Sequence, residues 1–250
     1  MDLNTFFQEN RRVALAFSGG VDSAYLLYAA IQSGADVKAY YAKTAFQPDF
    51  EYQDALRLAG ELGANMQVLA PDPLGVEEIC ANPKNRCYYC KRLLFDAILR
   101  AAKADGYDLV MDGTNASDDA SDRPGMAALR ELEVRSPLRE CGLTKNVIRR
   151  RSKEAGLFTW DKPAYACLAT RIPTGDRITA EKLKTTEEAE DFLMQLGFRN
   201  FRVRLVGKTA KIQLPESQLG LLLDNRETIV EMLRKTYAGV LLDLEVRDEQ

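Results

Sequence analysis

The stretch VALAFSGGVDSAYLLY (Val13–Tyr28) decides the fold. Val13–Phe17 is a short continuous apolar run, the pattern of a strand buried on both faces. Ser18-Gly-Gly-Val-Asp-Ser23 follows directly, and from Val21 the apolar residues return at helical spacing. Glycine reaches backbone conformations closed to other residues, so successive amides of such a turn can point at an anion held at the positive end of the helix. Ser18, Gly19, Gly20, Asp22 and Ser23 are therefore expected to form a phosphate cradle. It is not the GxxxxGK[ST] loop, because no lysine follows the glycines and the spacing differs.

Working outward, strand-like runs VKAYY (37–41), MQVLA (66–70) and DLVMD (108–112) alternate with helical patterns near 49–62 and 89–104. Strands that alternate with helices predict an α/β doubly wound parallel sheet. Residues 123–174 read as loop and short helix. After Ile178 come a long helix (179–196), two strands within 197–214, a further helix and a last strand (240–246), a small α+β domain. The expected organisation is thus a nucleotide domain over 1–174 and a small α+β substrate or oligomerisation domain over 175–250.

The 250 residues are 46% hydrophobic and 28% charged with a net charge of −3, the profile of a soluble globular protein. No apolar run approaches the roughly 20 residues of a membrane helix, and the polar start MDLNTFFQENRR lacks the apolar core of an export signal. A cytoplasmic location is the expectation. Histidine is absent, so chemistry has to rest on Cys, Asp, Glu, Lys, Arg or backbone amides.

A second ligand loop is expected at Asp112-Gly-Thr-Asn-Ala-Ser-Asp-Asp119, at the C-terminal end of a strand, where open α/β sheets bind ligands. Asp118 and Asp119 offer hard oxygens suited to a magnesium that bridges phosphates. Of the five cysteines, Cys87 and Cys90 form a CxxC entering a helix and flanked by Arg86, Lys91 and Arg92, all of which favour thiolate. Half of a zinc site, a redox disulfide and part of an iron–sulfur site remain open for this pair. Cys80 and Cys141 read as incidental thiols. Cys167, in KPAYACLATRIPTG (162–175), is the natural third partner.

SGGVDS resembles the PP-loop signature of adenine-nucleotide α-hydrolase-like enzymes, which split ATP between the α and β phosphates and activate a substrate as its adenylate. The resemblance implies that Ser18–Ser23 hold pyrophosphate and that Asp22 helps to bind Mg²⁺, with Lys91, Gly113 and Thr114 completing the ATP site and Asp119 a second magnesium ligand. The order SGGVDS, RCYYCK, DGTN with DD, DRPG (122–125), SPLRECGLTK (136–145), WDKPAYACLATRIPTG (160–175) and ITAEKL (178–183) is similar to the LarE family over nearly the whole chain. That family makes the nickel-pincer nucleotide cofactor of lactate racemase by adenylylating pyridinium-3,5-biscarboxylic acid mononucleotide and converting its carboxylates to thiocarboxylates.

In the family's simpler form the cysteine matching Cys167 is consumed, leaving dehydroalanine. In members with an added CxxC, three thiolates hold a [4Fe–4S] cluster with one iron open for sulfide. The three-cysteine pattern here favours the cluster, with Cys87, Cys90 and Cys167 as ligands, and sacrifice of Cys167 stays open. Arg171, Arg202 and Arg204 are expected to grip the substrate, the last two from one face of a strand. Where the family pattern often carries a histidine and a glutamate, Leu205 or Val206 and Gln213 stand, so the auxiliary metal site of some members is left open for this chain. The resemblance suggests a homo-oligomer such as a hexamer, with a small-molecule substrate, a sulfide source and neither nucleic acid nor membrane as partner. The rival functions are a tRNA thiolase, which needs a basic face that the charge balance does not supply, an amide-forming synthetase using ammonia, and a non-catalytic nucleotide sensor.

Overall fold

The computed structural model describes residues 2–118 and 124–248. In chain order its elements are α1 (Leu3–Glu9), β1 (Arg12–Ala16), α2 (Val21–Gln32), β2 (Asp36–Ala42), α3 (Asp49–Glu61), β3 (Asn65–Leu69), α4 (Glu77–Cys80), α5 (Arg86–Ala104) and β4 (Val110–Met111). Then follow α6 (Pro124–Glu131), α7 (Pro137–Glu140), α8 (Lys145–Glu154), α9 (Ala180–Gln195), β5 (Arg202–Val206), β6 (Thr209–Gln213), α10 (Leu219–Asp224), α11 (Arg226–Leu233) and β7 (Gly239–Leu242). The chain folds into two compact units: the first runs up to Pro73 and resumes over Asn85–Lys162, and the second joins Leu74–Lys84 to everything from Pro163 on.

The first unit is built on a parallel sheet of order β3-β2-β1-β4. Side chains alternate across a strand, and both faces of this sheet are apolar. Val13, Leu15, Ala39, Tyr41 and Met111 pack with α1, α2, α7 and α8, while Ala14, Tyr40 and Val110 pack with Ile98 and Ala102 of α5. Helices on both faces make it a doubly wound α/β sheet, as the alternating pattern requires. Two parts of the sequence reading are too plain. The polar N-terminus forms α1, capped by the Asp2 carboxylate on the Thr5 amide at 2.8 Å and inserting Phe6 and Phe7 into the core. The stretch taken as loop and short helix contains the ten-residue α8.

The second unit has a small mixed sheet in which β5 and β6 are antiparallel and β6 and β7 parallel. Ala189 and Leu193 of α9 pack on Val203, Ala210, Ile212 and the rings of Phe198 and Phe201. This unit also takes in residues 74–84. Asn82, at φ 53°, donates its side-chain amide to the carbonyls of Ile172 and Pro173, and its own carbonyl accepts from the Gly175 amide. The contacts thus divide the chain differently from a cut at 174/175, because residues 163–174 are tied to a segment far upstream. The last strand ends at Leu242, short of the expected 246.

Candidate functional site

In the first unit the turn from β1 into α2 carries the glycine loop. Gly19 takes φ 72°, in the left-handed region that favours glycine, and a Cβ there would lie 2.9 Å from that of Ala55. Gly20 caps α2, leaving the first helical amides without a side-chain partner, which is the geometry that receives anions. The Ser18 and Ser23 hydroxyls lie 3.0 Å apart, and Ser23 donates to the Gly20 carbonyl at 3.2 Å.

The loop after β4 comes close to this turn: a Cβ on Gly113 would lie 2.8 Å from the Ser23 amide nitrogen. Asp112 holds the loop by accepting from Thr114 through its amide and hydroxyl and from the Ser136 hydroxyl at 2.7 Å. The Asp118 carboxylate accepts from the Asn115 amide at 3.0 Å, and the Asp118 carbonyl accepts from Arg139. The Thr114 hydroxyl is therefore engaged with Asp112. Asp119, the second expected magnesium ligand, lies outside the described residues.

Asp22 stands where the two loops meet. Burial pushes its carboxyl above the usual range, an effect partly offset by Lys145. Lys145 Nζ donates to Oδ2 at 2.6 Å, whereas Oδ1 is buried and accepts no hydrogen bond from any described residue. A carboxylate with one orphaned buried oxygen, near the charge of Asp118, suits a divalent cation. Lys145 was not singled out in the sequence, although it closes the SPLRECGLTK stretch; its amide is held by the Ser117 hydroxyl at 3.0 Å.

Cys87 and Cys90 lie one helical turn apart at the start of α5, the first exposed and the second half-buried, with Arg86 Nη2 3.9 Å from the Cys87 sulfur. Lys91 follows, its stem close against Gly125, where a Cβ would meet it at 3.0 Å. Within the basic run of α8, Arg149 donates to the carbonyls of Trp160 and Lys162, Lys153 lies 4.4 Å from the Trp160 ring centre, and Arg150 is exposed beside Glu154. Among the described residues no group of three or more Cys, Asp or Glu side chains converges as a metal site. Cys87 and Cys90 belong to the first unit and Cys167 to the second, and thiolates at all three have the chemistry that suits iron.

In the second unit the expected substrate arginines surround the turn that carries Cys167, a half-buried thiol preceding the short 3₁₀ turn Leu168–Arg171. Arg171 and Glu190 form a buried ion pair, their side chains 0% and 1% exposed, with Nε and Nη2 donating to the carboxylate at 2.8 and 3.0 Å. Arg171 Nη1 donates to the Ala166 carbonyl at 2.9 Å and to the Thr170 hydroxyl at 2.8 Å. Arg202 donates to the Ala164 carbonyl at 2.5 Å and Arg204 to the Thr170 carbonyl at 2.7 Å. Arg202 and Arg204 both reach carbonyls of this segment, and Arg202 donates in addition to the Phe201 carbonyl.

The cations crowd one another. Burial, with Arg171 and Arg247 nearby, pushes Arg202 down to about 10, and Arg204 is lowered for the same reasons. Arg204 and Arg247 also line an open cavity of about 270 Å³ together with Gln213, Glu245, Val246 and Asp248. Gln213 accepts from Arg204 and donates to Asp243 at 2.5 Å. Glu190 was missed in the sequence, yet a signal exists: it falls on the buried stripe Leu183, Thr186, Glu190, Leu193 of α9, where a lone acid requires a partner.

The chain is 35% identical over 237 residues to the pyridinium-3,5-bisthiocarboxylic acid mononucleotide synthase of Lactiplantibacillus plantarum, spanning 94% of this chain and 86% of that protein. It is 39% identical over 221 residues to an uncharacterized protein of Synechocystis sp., spanning 87% and 82%. A more distant likeness, 26% over 144 residues, covers 48% of the chain and 40% of a tRNA-specific 2-thiouridylase of Thermotoga maritima. No family model matches the chain.

Proposed function

The chain belongs to the LarE family of ATP-dependent sulfur transferases, and from that premise we propose that it adenylylates the carboxylates of pyridinium-3,5-biscarboxylic acid mononucleotide and converts them to thiocarboxylates for the nickel-pincer nucleotide cofactor. The observation that carries this reading is the buried, unpartnered Oδ1 of Asp22 at a glycine loop that opens a helix. An anionic phosphate and its cation fit that combination; a purely structural turn gives no reason for it.

In the first step a substrate carboxylate oxygen attacks the α phosphorus of ATP, the bond to the β-phosphate bridging oxygen breaks, and pyrophosphate leaves. The α2 amides receive phosphate charge, and the Gly113–Thr114 turn closes the same end of the sheet. A magnesium ion held by Asp22, with Asp118 close by, would neutralise charge on the departing pyrophosphate. The acyl adenylate is a far better electrophile than the carboxylate because AMP leaves in place of oxide. Sulfur then attacks the carbonyl and AMP departs.

If Cys167 is the sulfur donor, its thiolate forms a thioester; loss of the Cα proton and cleavage of the Cβ–S bond release the thiocarboxylate and leave dehydroalanine. If sulfide is the donor, Cys87, Cys90 and Cys167 would act as thiolate ligands of a [4Fe–4S] cluster that supplies it, and Cys167 survives turnover. Arg202 and Arg204 are kept as the groups for the substrate's 5′-phosphate in the second unit, and the open cavity that Arg204 lines with Arg247 supports this. We also assign to the protein a small-molecule substrate and a homo-oligomeric state.

ATP–pyrophosphate exchange tests the reading. The pyridinium dicarboxylate mononucleotide should stimulate exchange, and tRNA or ammonia should not; stimulation by tRNA alone would move the assignment to a tRNA thiolase. Iron and acid-labile sulfide in protein purified without oxygen, together with the intact mass after turnover, separate the two sulfur sources. A mass lowered by the elements of hydrogen sulfide at Cys167 marks the sacrificial route.

A further inference from the structure

We infer that Glu190 is a positioning residue for the sulfur step, acting through Arg171 and Tyr165 to fix the turn from which Cys167 presents its sulfur; this rests on the reading of Cys167 as a sulfur-handling residue. Glu190 touches three parts of the second unit at once. Its carboxylate takes both Arg171 bonds, accepts from the Val203 amide at 2.8 Å at the start of β5, and accepts from the Tyr165 hydroxyl. With four donors on two oxygens its acceptor sites are spent on these neighbours, so it acts through its partners.

Those partners bracket Cys167. The Tyr165 ring lies 4.6 Å from the Arg171 guanidinium and 4.9 Å from that of Arg202. On the same side of the sulfur the Ala166 carbonyl accepts from Arg171, and after it the Cys167 carbonyl accepts from the Thr170 hydroxyl at 2.8 Å and its amide at 3.0 Å. Thr170 is itself bound by Arg171. The backbone before and after the thiol is thus fastened to one planar guanidinium, whose orientation the bidentate Glu190 pair sets. Two opposite charges buried this deeply add little net stability compared with an apolar pair of the same volume. What such a pair does supply is a defined geometry, and a displacement of about 1 Å in a reacting group can cost about 10²-fold in rate.

The test uses the full chain with Glu190→Gln, the milder Tyr165→Phe, and the double variant Arg171→Met/Glu190→Leu, which removes the pair without stranding a charge. Three quantities are read: substrate-dependent pyrophosphate release, thiocarboxylate formation, and the rate at which iodoacetamide alkylates Cys167 in cluster-free protein, with Cys141 as the internal standard. Glu190→Gln should keep pyrophosphate release within about threefold, and both it and the double variant should lose about 10²-fold in thiocarboxylate formation. Their Cys167 alkylation rate should change about fivefold or more against an unchanged Cys141, and Tyr165→Phe should shift all three in the same sense by less.

A parallel fall in pyrophosphate release and thiocarboxylate formation would reduce Glu190 to a structural residue. So would a double variant that folds and makes thiocarboxylate at the native rate. Cys167→Ser separates the underlying reading: if it still forms thiocarboxylate, the sulfur role of Cys167 fails, whereas its inactivity beside a fully active Glu190→Gln defeats the positioning role alone.

Discussion

The glycine loop of the first unit and the Cys167 turn of the second are both short irregular segments mounted on regular elements, yet their polar groups are disposed in opposite ways. At the glycine loop the first α2 amides have no side-chain cap and Asp22 Oδ1 is buried without a partner. Around Cys167 the carbonyls of Ala164, Ala166, Cys167 and Thr170 all accept from side chains. The first arrangement has the form of a receptor, with amides and a carboxylate oxygen left open. The second is a mount whose hydrogen bonds the protein has already made. Polar groups left open cost stability and serve binding; polar groups closed on one another serve position.

The contrast predicts that stranding a charge in the mount lowers stability, and that removing the open carboxylate of the receptor lowers activity at little cost in stability. Arg171→Ala strands the buried Glu190 carboxylate and should cost about 3–5 kcal/mol in denaturant unfolding; a loss under about 1 kcal/mol would break the comparison. Asp22→Asn should lower substrate-dependent pyrophosphate release by at least about 10²-fold. Its melting temperature should stay within about 3 °C of the native protein, since no internal hydrogen bond to Oδ1 is lost.

Gly19→Ala tests the backbone of the receptor. The positive φ and the 2.9 Å approach to Ala55 should together cost about 1–3 kcal/mol, seen as a lower midpoint in thermal unfolding. Lys145→Met should sharpen the comparison further. Lys145 is paired with Asp22 Oδ2, so its removal should lower the Mg²⁺ concentration for half-maximal pyrophosphate release by about fivefold, the worth of a half-exposed pair.

The smallest effect is expected at Glu140, which braces α7 behind the second ligand loop. Arg135 holds its carboxyl below the ordinary glutamate range, helped by the Ser136 amide. The stability this adds is therefore complete above the ordinary value of 4.5 and is lost as pH falls through the lower folded value. Glu140→Gln should cost under about 1 kcal/mol at pH 7, and nothing once the pH is below the folded value, read from urea midpoints across that range.

What the sequence determined by itself is local in the chain. The run Val13–Tyr28 spells out strand, turn and helix within sixteen consecutive residues, and the alternation that follows is enough for a doubly wound sheet. Periodicity and glycine placement act over a few residues, so one sequence reveals them. The cysteines and arginines of the site were legible as residue types with a chemistry. Their partners were not.

Lys145 meets Asp22 across 123 positions, Asn82 holds Ile172 across 90, and Glu190 meets Arg171 across a turn and three turns of helix. Such pairs are chosen by packing and by the demand that buried charges be compensated, and neither leaves a pattern in the linear chain beyond an acid or base on an apolar stripe. The tertiary structure alone therefore decided that Arg171, Arg202 and Arg204 spend visible hydrogen bonds on the Cys167 turn, that Lys145 reaches Asp22 at the glycine loop, and that residues 74–84 fold with the second unit. Backbone conformation is a local property; charge compensation in a core is a property of the whole fold.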